Sequence, residues 1–291
     1  MKSPFWVNEV YSIGHWLKKY ALYPTKLPLC NYIDHGMPDD TIPKHEIENE
    51  APLIFKFPPR LVEEYKKVSK KPVYCLMNPT IFYRLKNKIK QNQEAKGTLF
   101  FVAHSTPIID DNINWEHFII NLNNIPEQFK PIDICLHNHD IVKGLDNIFK
   151  LNKFKVVCIG NPNNKDFVKD FYSILKNYKF TMSNLIGSYT FYSVEMNIPF
   201  SLFGEEPKYY NKGDENIEFG DYDSYKSQPT YQKAFALFNN FYNKITNEQN
   251  EFVNFELGKT QTIGRIKACL LLYKALIVYT IKNKKLINIF N

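Results

Sequence analysis

The residues able to do chemistry in this chain sit where its apolar runs end. Histidines follow three such runs: Asp34-His35-Gly36 after LCNYI, His104-Ser105-Thr106 after TLFFVA, and His137-Asn138-His139-Asp140 after IDICL. Imidazole takes up a proton near neutral pH, and a neighbouring glycine frees the backbone to aim it. His35, aided by Asp34, and His104 are therefore the candidate general bases. Each has a plainer reading, His35 as a turn histidine held by Asp34 and His104 as one bonded to a loop carbonyl. The His137/His139 pair raises a metal site, because alternate residues of a strand share a face. No other His, Asp or Glu set has ligand spacing, so metal-independent chemistry is expected, with the pair bonding a ligand or a loop.

A second set is suited to an anion. Over residues 179–206, KFTMSNLIGSYTFYSVEMNIPFSLFGEE, a strand ends in Ser183-Asn184 and a helix opens at Gly187-Ser188. A second strand then closes on Gly204-Glu205-Glu206. The first N–H groups of a helix lack intrahelical partners, and small residues there let an anion approach. Glu205 or Glu206, just past a strand, is placed to accept from a sugar hydroxyl. Gly160-Asn161 ends another run and offers a permissive backbone with an amide. The plainer readings are a helix cap at Ser183, a solvated turn at Glu205-Glu206 and an ordinary strand-to-helix turn at Gly160.

Elements that position these groups follow from the pattern. Helices are expected over 6–20, 59–69, 78–92, 115–122, 145–151, 166–177, 230–245 and 263–290, alternating with short apolar strands. That alternation predicts an α/β protein with parallel sheets. The proline-bearing, aperiodic stretch 123–131 sets the expected division: a lobe over 1–128, a second over 129–262, and a helix over 263–291 packing back on the first lobe or on a membrane surface. The Tyr-, Gly- and Asp-rich stretch 207–228 reads as a surface loop or lid.

Composition narrows the class. With 44% hydrophobic and 15% aromatic residues in 291, the chain can bury a sizeable core. Its five cysteines are scattered and odd in number, which suits reduced core thiols. No segment has a signal peptide's layout and no apolar run reaches a bilayer's span, so a cytoplasmic protein is expected. The net charge of +7 gathers in basic regions at residues 66–71, 84–90 and 282–285, favouring anionic partners such as phospholipid or phosphorylated substrate. Nucleic acid is not expected, since no nucleic-acid-binding motif accompanies them.

The histidine-glycine element, the Ser/Asn–Gly–Ser helix start and the run IPFSLFGEE together resemble bacterial glycosyltransferases of the GT-B architecture, of the kind that build capsule, O-antigen or lipooligosaccharide. That resemblance implies two Rossmann-like lobes facing a cleft, with a nucleotide-sugar donor on the second lobe and a saccharide or lipid-linked saccharide acceptor on the first. It implies no cofactor beyond the donor; peripheral contact with the inner membrane is expected instead from Arg265, Lys267, Lys282, Lys284 and Lys285, which flank the apolar C-terminal helix. It puts Gly160, Asn161, Ser183, Asn184, Gly187 and Ser188 near the nucleotide phosphates and Glu205 or Glu206 near a donor hydroxyl. The Asp34-His35-Gly36 element also looks like the histidine-glycine motif of polyol-phosphate polymerases, but Met37-Pro38-Asp39-Asp40 replaces the Thr-Pro-Leu-Lys that follows there. A nucleotide-sugar epimerase or hydrolase, or a non-catalytic polysaccharide-assembly protein, is the alternative on the same architecture.

Overall fold

A computed structural model describes residues 2–34, 36, 40–105, 109–211 and 226–283. His35 and the segment 212–225 of the expected lid lie outside the described residues.

The helix expected from residue 6 is interrupted. A 3-10 turn, Trp6–Asn8, precedes helix α1, Ile13–Ala21. Between them Tyr11 and Ser12 are left-handed, with φ of 53° and 58°, a conformation costing a non-glycine residue on the order of 1 kcal/mol. Tertiary bonds supply the reason. Tyr11 N–H donates to the Pro162 carbonyl at 2.6 Å, and Ser12 Oγ donates to the carbonyls of Asn164 and Lys165.

The chain continues through β1 (Tyr32–Ile33), α2 (Lys44–Glu48), β2 (Ile54–Lys56), α3 (Pro59–Val68), β3 (Val73–Cys75) and α4 (Pro79–Lys86). Prolines start α3 and α4 where a missing N–H does no harm. The strands form a parallel sheet in the order β1-β2-β3.

A second sheet is built from β4 (Thr98–Phe101), followed by β5 (Ile109–Asp111), α5 (Trp115–Asn123), β6 (Ile132–Leu136), α6 (Asn138–Val142), α7 (Leu145–Leu151), β7 (Lys155–Cys158), α8 (Phe167–Leu175), β8 (Phe180–Ser183), α9 (Ser188–Glu195) and β9 (Phe200–Leu202). Its order is β7-β6-β4-β8-β9, every pairing parallel. The expected α/β class with parallel sheets is what forms. Strand β4, expected in the first lobe, is instead the central strand of this sheet, so the change of sheet falls between β3 and β4 rather than near residue 128. Its side chains explain the position. Leu99 and Phe101 enter one buried cluster with α8 and α9, while Phe100 and Val102 enter another with α5 and α7. A strand buried on both faces reads as a continuous apolar run and belongs inside a sheet.

β10 (Tyr209–Asn211) pairs antiparallel with β5, so part of the expected lid is strand. Then come α10 (Pro229–Phe238), α11 (Asn247–Glu256) and α12 (Arg265–Lys282). Helix α10 ends seven residues before the expected 245, and α11 was not expected.

The turn at Leu257-Gly258 closes the carboxyl ends of β2 and β3, with Asn78 N–H bonded to the Leu257 carbonyl at 3.0 Å. Gly258 is left-handed (φ +71°), and a Cβ there would lie 2.2 Å from the Phe57 carbonyl oxygen. Only glycine fits so close an approach.

Candidate functional site

Counted along the chain, the strands of the second sheet run 3-2-1-4-5, so the order reverses between β4 and β8. Open α/β sheets bind ligands outside the carboxyl ends of their strands at such a reversal. Past β4 come His104 and Ser105, past β6 comes His137, and past β8 comes Asn184. Gly160-Asn161 lies past the edge strand β7, three strand spacings or about 14 Å from β8.

β6 ends at Leu136, so the two histidines do not alternate on a strand. His137 is the N-cap of α6, its Nδ1 accepting the His139 N–H at 3.3 Å. The cap turn still gathers the rings: His104 stacks on His137 with centroids 4.6 Å apart, and His139 lies 4.8 Å from His137. Face-to-face stacking does not aim nitrogens at a common point, and among the described residues no group of three or more His, Cys, Asp or Glu could hold a metal ion.

Hydrogen bonds assign the protons. His104 Nδ1 lies 2.9 Å from the Ser105 carbonyl oxygen, which can only accept, so Nδ1 carries the proton and the neutral ring's lone pair is on Nε2. On this exposed side chain, Nε2 is an available base. His137 is the opposite case. Burial, with His104 and His139 beside it, pushes its pKa down to about 3, so the ring is neutral at physiological pH. Because its Nδ1 accepts, its proton is on Nε2. Among the described residues that atom is buried without a hydrogen-bond partner.

Beneath the rings, Ser105 Oγ donates to Asp140 Oδ1 at 2.6 Å and receives Lys143 Nζ at 2.8 Å. Asp140 also accepts the Ser105 N–H, while its Oδ2 is buried without a partner among the described residues. The segment that follows β4 is thus tied to α6 by a charged chain. Lys143 was not singled out from the sequence; its only signal is its place three residues after Asp140.

The residues after β8 serve the protein itself. Asn184 is fully buried, its Oδ1 accepting the Ala103 N–H at 2.8 Å and its Nδ2 donating to the Glu205 carbonyl at 2.9 Å. It clasps the ends of β4, β8 and β9. Ser183 Oγ is bonded to Tyr189 Oη at 2.9 Å and accepts the Leu185 N–H at 3.1 Å. Both side chains are buried and bonded within the protein.

Helix α9 does open at Gly187-Ser188, both half-buried. The Gly187 N–H is bonded to Thr190 Oγ1 at 3.3 Å. The Tyr189 ring lies against the turn, so that a Cβ on Gly187 would meet it at 2.9 Å, and stacks on Phe101 at 4.7 Å. The Tyr189 ring thus forms an aromatic wall at the helix start.

Asn161 Oδ1 accepts the Asn163 N–H at 2.8 Å, an ordinary turn. Gly160 is left-handed (φ +98°) with open space where a Cβ would be. Glu205 is exposed, whereas Glu206 is bonded to Tyr231 Oη at 2.5 Å and to Lys226 at 2.7 Å. In the first sheet, Asp34 is buried, bonded to Lys56 Nζ at 2.7 Å and to the Phe57 N–H at 3.3 Å. Burial alone would pull the Lys56 ammonium down, but Asp34 and Glu46 more than offset it and its pKa lies above the ordinary value. Asp34 is engaged with this lysine.

No family model matches the chain, and no curated protein matches it. Among solved structures, it is similar to the wall teichoic acid polymerase TagF, with TM-score 0.39 and 12% identity over 83% of this chain. It spans 62% of that chain's length. A GtfA/B complex is matched with TM-score 0.34 and 11% identity over 85% of this chain and 53% of the other.

Proposed function

We propose that this chain transfers a sugar from a nucleotide-sugar donor to a saccharide acceptor in the synthesis of a bacterial surface glycan, with no metal in the reaction. A lipid-linked acceptor and peripheral contact with the inner membrane belong to the same reading. The observation that carries it is the exposed His104 at the strand-order reversal, its Nδ1 bonded to a carbonyl so that Nε2 is left as acceptor, on the sheet edge where helix α9 opens at Gly187-Ser188.

In this reading His104 takes the proton of the acceptor hydroxyl as its oxygen bonds to the sugar's anomeric carbon. The anomeric carbon–oxygen bond to the nucleotide breaks, and the departing phosphate keeps the electron pair. The first N–H groups of α9 meet the charge that develops on it. His35 stands as the second candidate base. Gly160-Asn161 and Gly187-Ser188 flank the donor, Glu205 is the free carboxylate for a sugar hydroxyl, and Asn184 and Ser183 position the strand ends. The proposed two-lobe, GT-B-like arrangement places the acceptor towards the first sheet.

A thermal-shift screen of nucleotides and nucleotide sugars tests the reading. Ligand at a hundred times its Kd stabilises the native state by about 2.7 kcal/mol, expected to raise Tm by several degrees. His104→Ala and His35→Ala should keep that shift while one of them abolishes turnover. Failure of every nucleotide to raise Tm, or full turnover in both variants, would overturn it.

A further inference from the structure

Helix α12 turns one face to the protein and leaves an apolar face uncovered by the described residues. Its inner side, including Ala268, Leu272 and Leu276, is buried. It is anchored by Tyr273 on Tyr23, Tyr279 on Phe5, and Arg265 Nε on the Tyr20 carbonyl at 2.7 Å. On the outer side Ile266, Leu270, Ile277 and Ile281 are 74%, 65%, 57% and 62% exposed, with Tyr273 at 38%. At about 100° per residue these five fall within an arc of about 80°, running roughly 22 Å along the axis. Single exposed apolar residues are commonplace; a continuous stripe of this length is not.

The charges beside the stripe identify its occupant. Arg265 is turned onto the protein, Lys267, Lys274 and Lys282 are the other cations of the helix, and no Asp or Glu occurs in 265–282. Lys267 and Lys274 are exposed and follow the stripe on the same side by helical spacing. The exposed Leu22 and Trp6 adjoin Tyr23 and Phe5, the residues that pack on α12. The geometry points to an interfacial docking surface: α12 lies flat on an anionic lipid bilayer, its isoleucines and Leu270 at the acyl boundary and its lysines at headgroup phosphates. A second copy of the chain is the poorer fit, because the like charges of two such faces repel. The helix does not cross the bilayer, since no helix among the described residues is long and apolar enough. The inference identifies the element and the lipid charge behind the proposed membrane contact, and it holds whatever reaction the second sheet performs.

Vesicle flotation with the full chain tests it, using phosphatidylcholine vesicles with and without 30 mol% phosphatidylglycerol (about a third anionic lipid). The wild type should float with the anionic vesicles and be released by high salt. Leu270→Glu with Ile277→Glu should lower the partition coefficient at least tenfold, and Lys274→Gln with Lys282→Gln should lower it while weakening the salt dependence. Leu151→Glu, at an exposed apolar position elsewhere, should change nothing. These positions are solvent-facing, and unchanged melting of the variants confirms folding. Nucleotide-induced Tm shifts should be unaffected in all of them, which separates this inference from the proposed reaction. Absence of wild-type binding, equal binding to neutral vesicles, or binding unchanged in both pairs of variants would overturn it. So would a concentration-dependent dimer that Leu270→Glu with Ile277→Glu abolishes, which would assign the face to a second copy.

Discussion

At the scale of single residues, the site is a matter of which nitrogen holds the proton. His104 and His137 are stacked copies of one side chain, yet their neighbours give them opposite faces: a carbonyl fixes the proton of one on Nδ1, a backbone N–H fixes that of the other on Nε2. Burial keeps His137 neutral, and this has a consequence for stability. Its pKa is about 3 in the folded protein against about 6.5 unfolded. Between these values the unfolded chain binds a proton that the native state does not. The stabilisation is therefore complete above about pH 6.5 and is lost as pH falls, at up to about 1.4 kcal/mol per pH unit, a ceiling lowered by the ring's partial exposure. Urea unfolding at pH 7, 6 and 5 should show a steeper fall in wild type than in His137→Gln. Parallel lines would refute the assignment.

At the scale of elements, Asn184 joins three strand ends through one amide, and its oxygen and nitrogen are both engaged with backbone. Removing it strands a buried N–H at Ala103, worth about 1–3 kcal/mol when left unsatisfied, and releases the carbonyl of the exposed Glu205. Asn184→Ala should cost about 2 kcal/mol or more in urea unfolding, and should speed hydrogen exchange at the Ala103 amide. Unchanged exchange there would mean that the clasp does not hold β4 to β8. The same clasp sets the position of His104, one residue on, so turnover in this variant should fall more than nucleotide binding does.

At the scale of the molecule, a buried ion cluster joins the layers that follow the two sheets. Glu195, at the end of α9 and with a fully buried side chain, receives Arg84 of α4 through two bonds of 2.6 Å and Lys259 at 2.8 Å. Deleting one partner of a buried pair leaves an uncompensated charge, and the usual cost is about 3–5 kcal/mol. Glu195→Ala should lose that much, while Arg84→Met combined with Glu195→Leu should recover a good part of it, because apolar replacements remove the burial penalty along with the attraction. A single variant within about 1 kcal/mol of wild type would show that the cluster does not hold the layers together.

The sequence by itself determined the α/β class, the strands β6 and β8 close to their observed limits and the histidines at strand ends, because apolar run length and proline or glycine punctuation are local signals. Local pattern also marked the helix start at Gly187-Ser188. Only tertiary structure decided that β4 is the centre of the second sheet, since strand order depends on partners far along the chain. It alone decided that Asn184 and Ser183 bond the protein, that Asp34 is engaged with Lys56 and that Tyr11-Ser12 breaks the first helix. The proton positions on His104 and His137 belong there too, because a side chain's chemistry is set by whichever group the fold brings within about 3 Å of it.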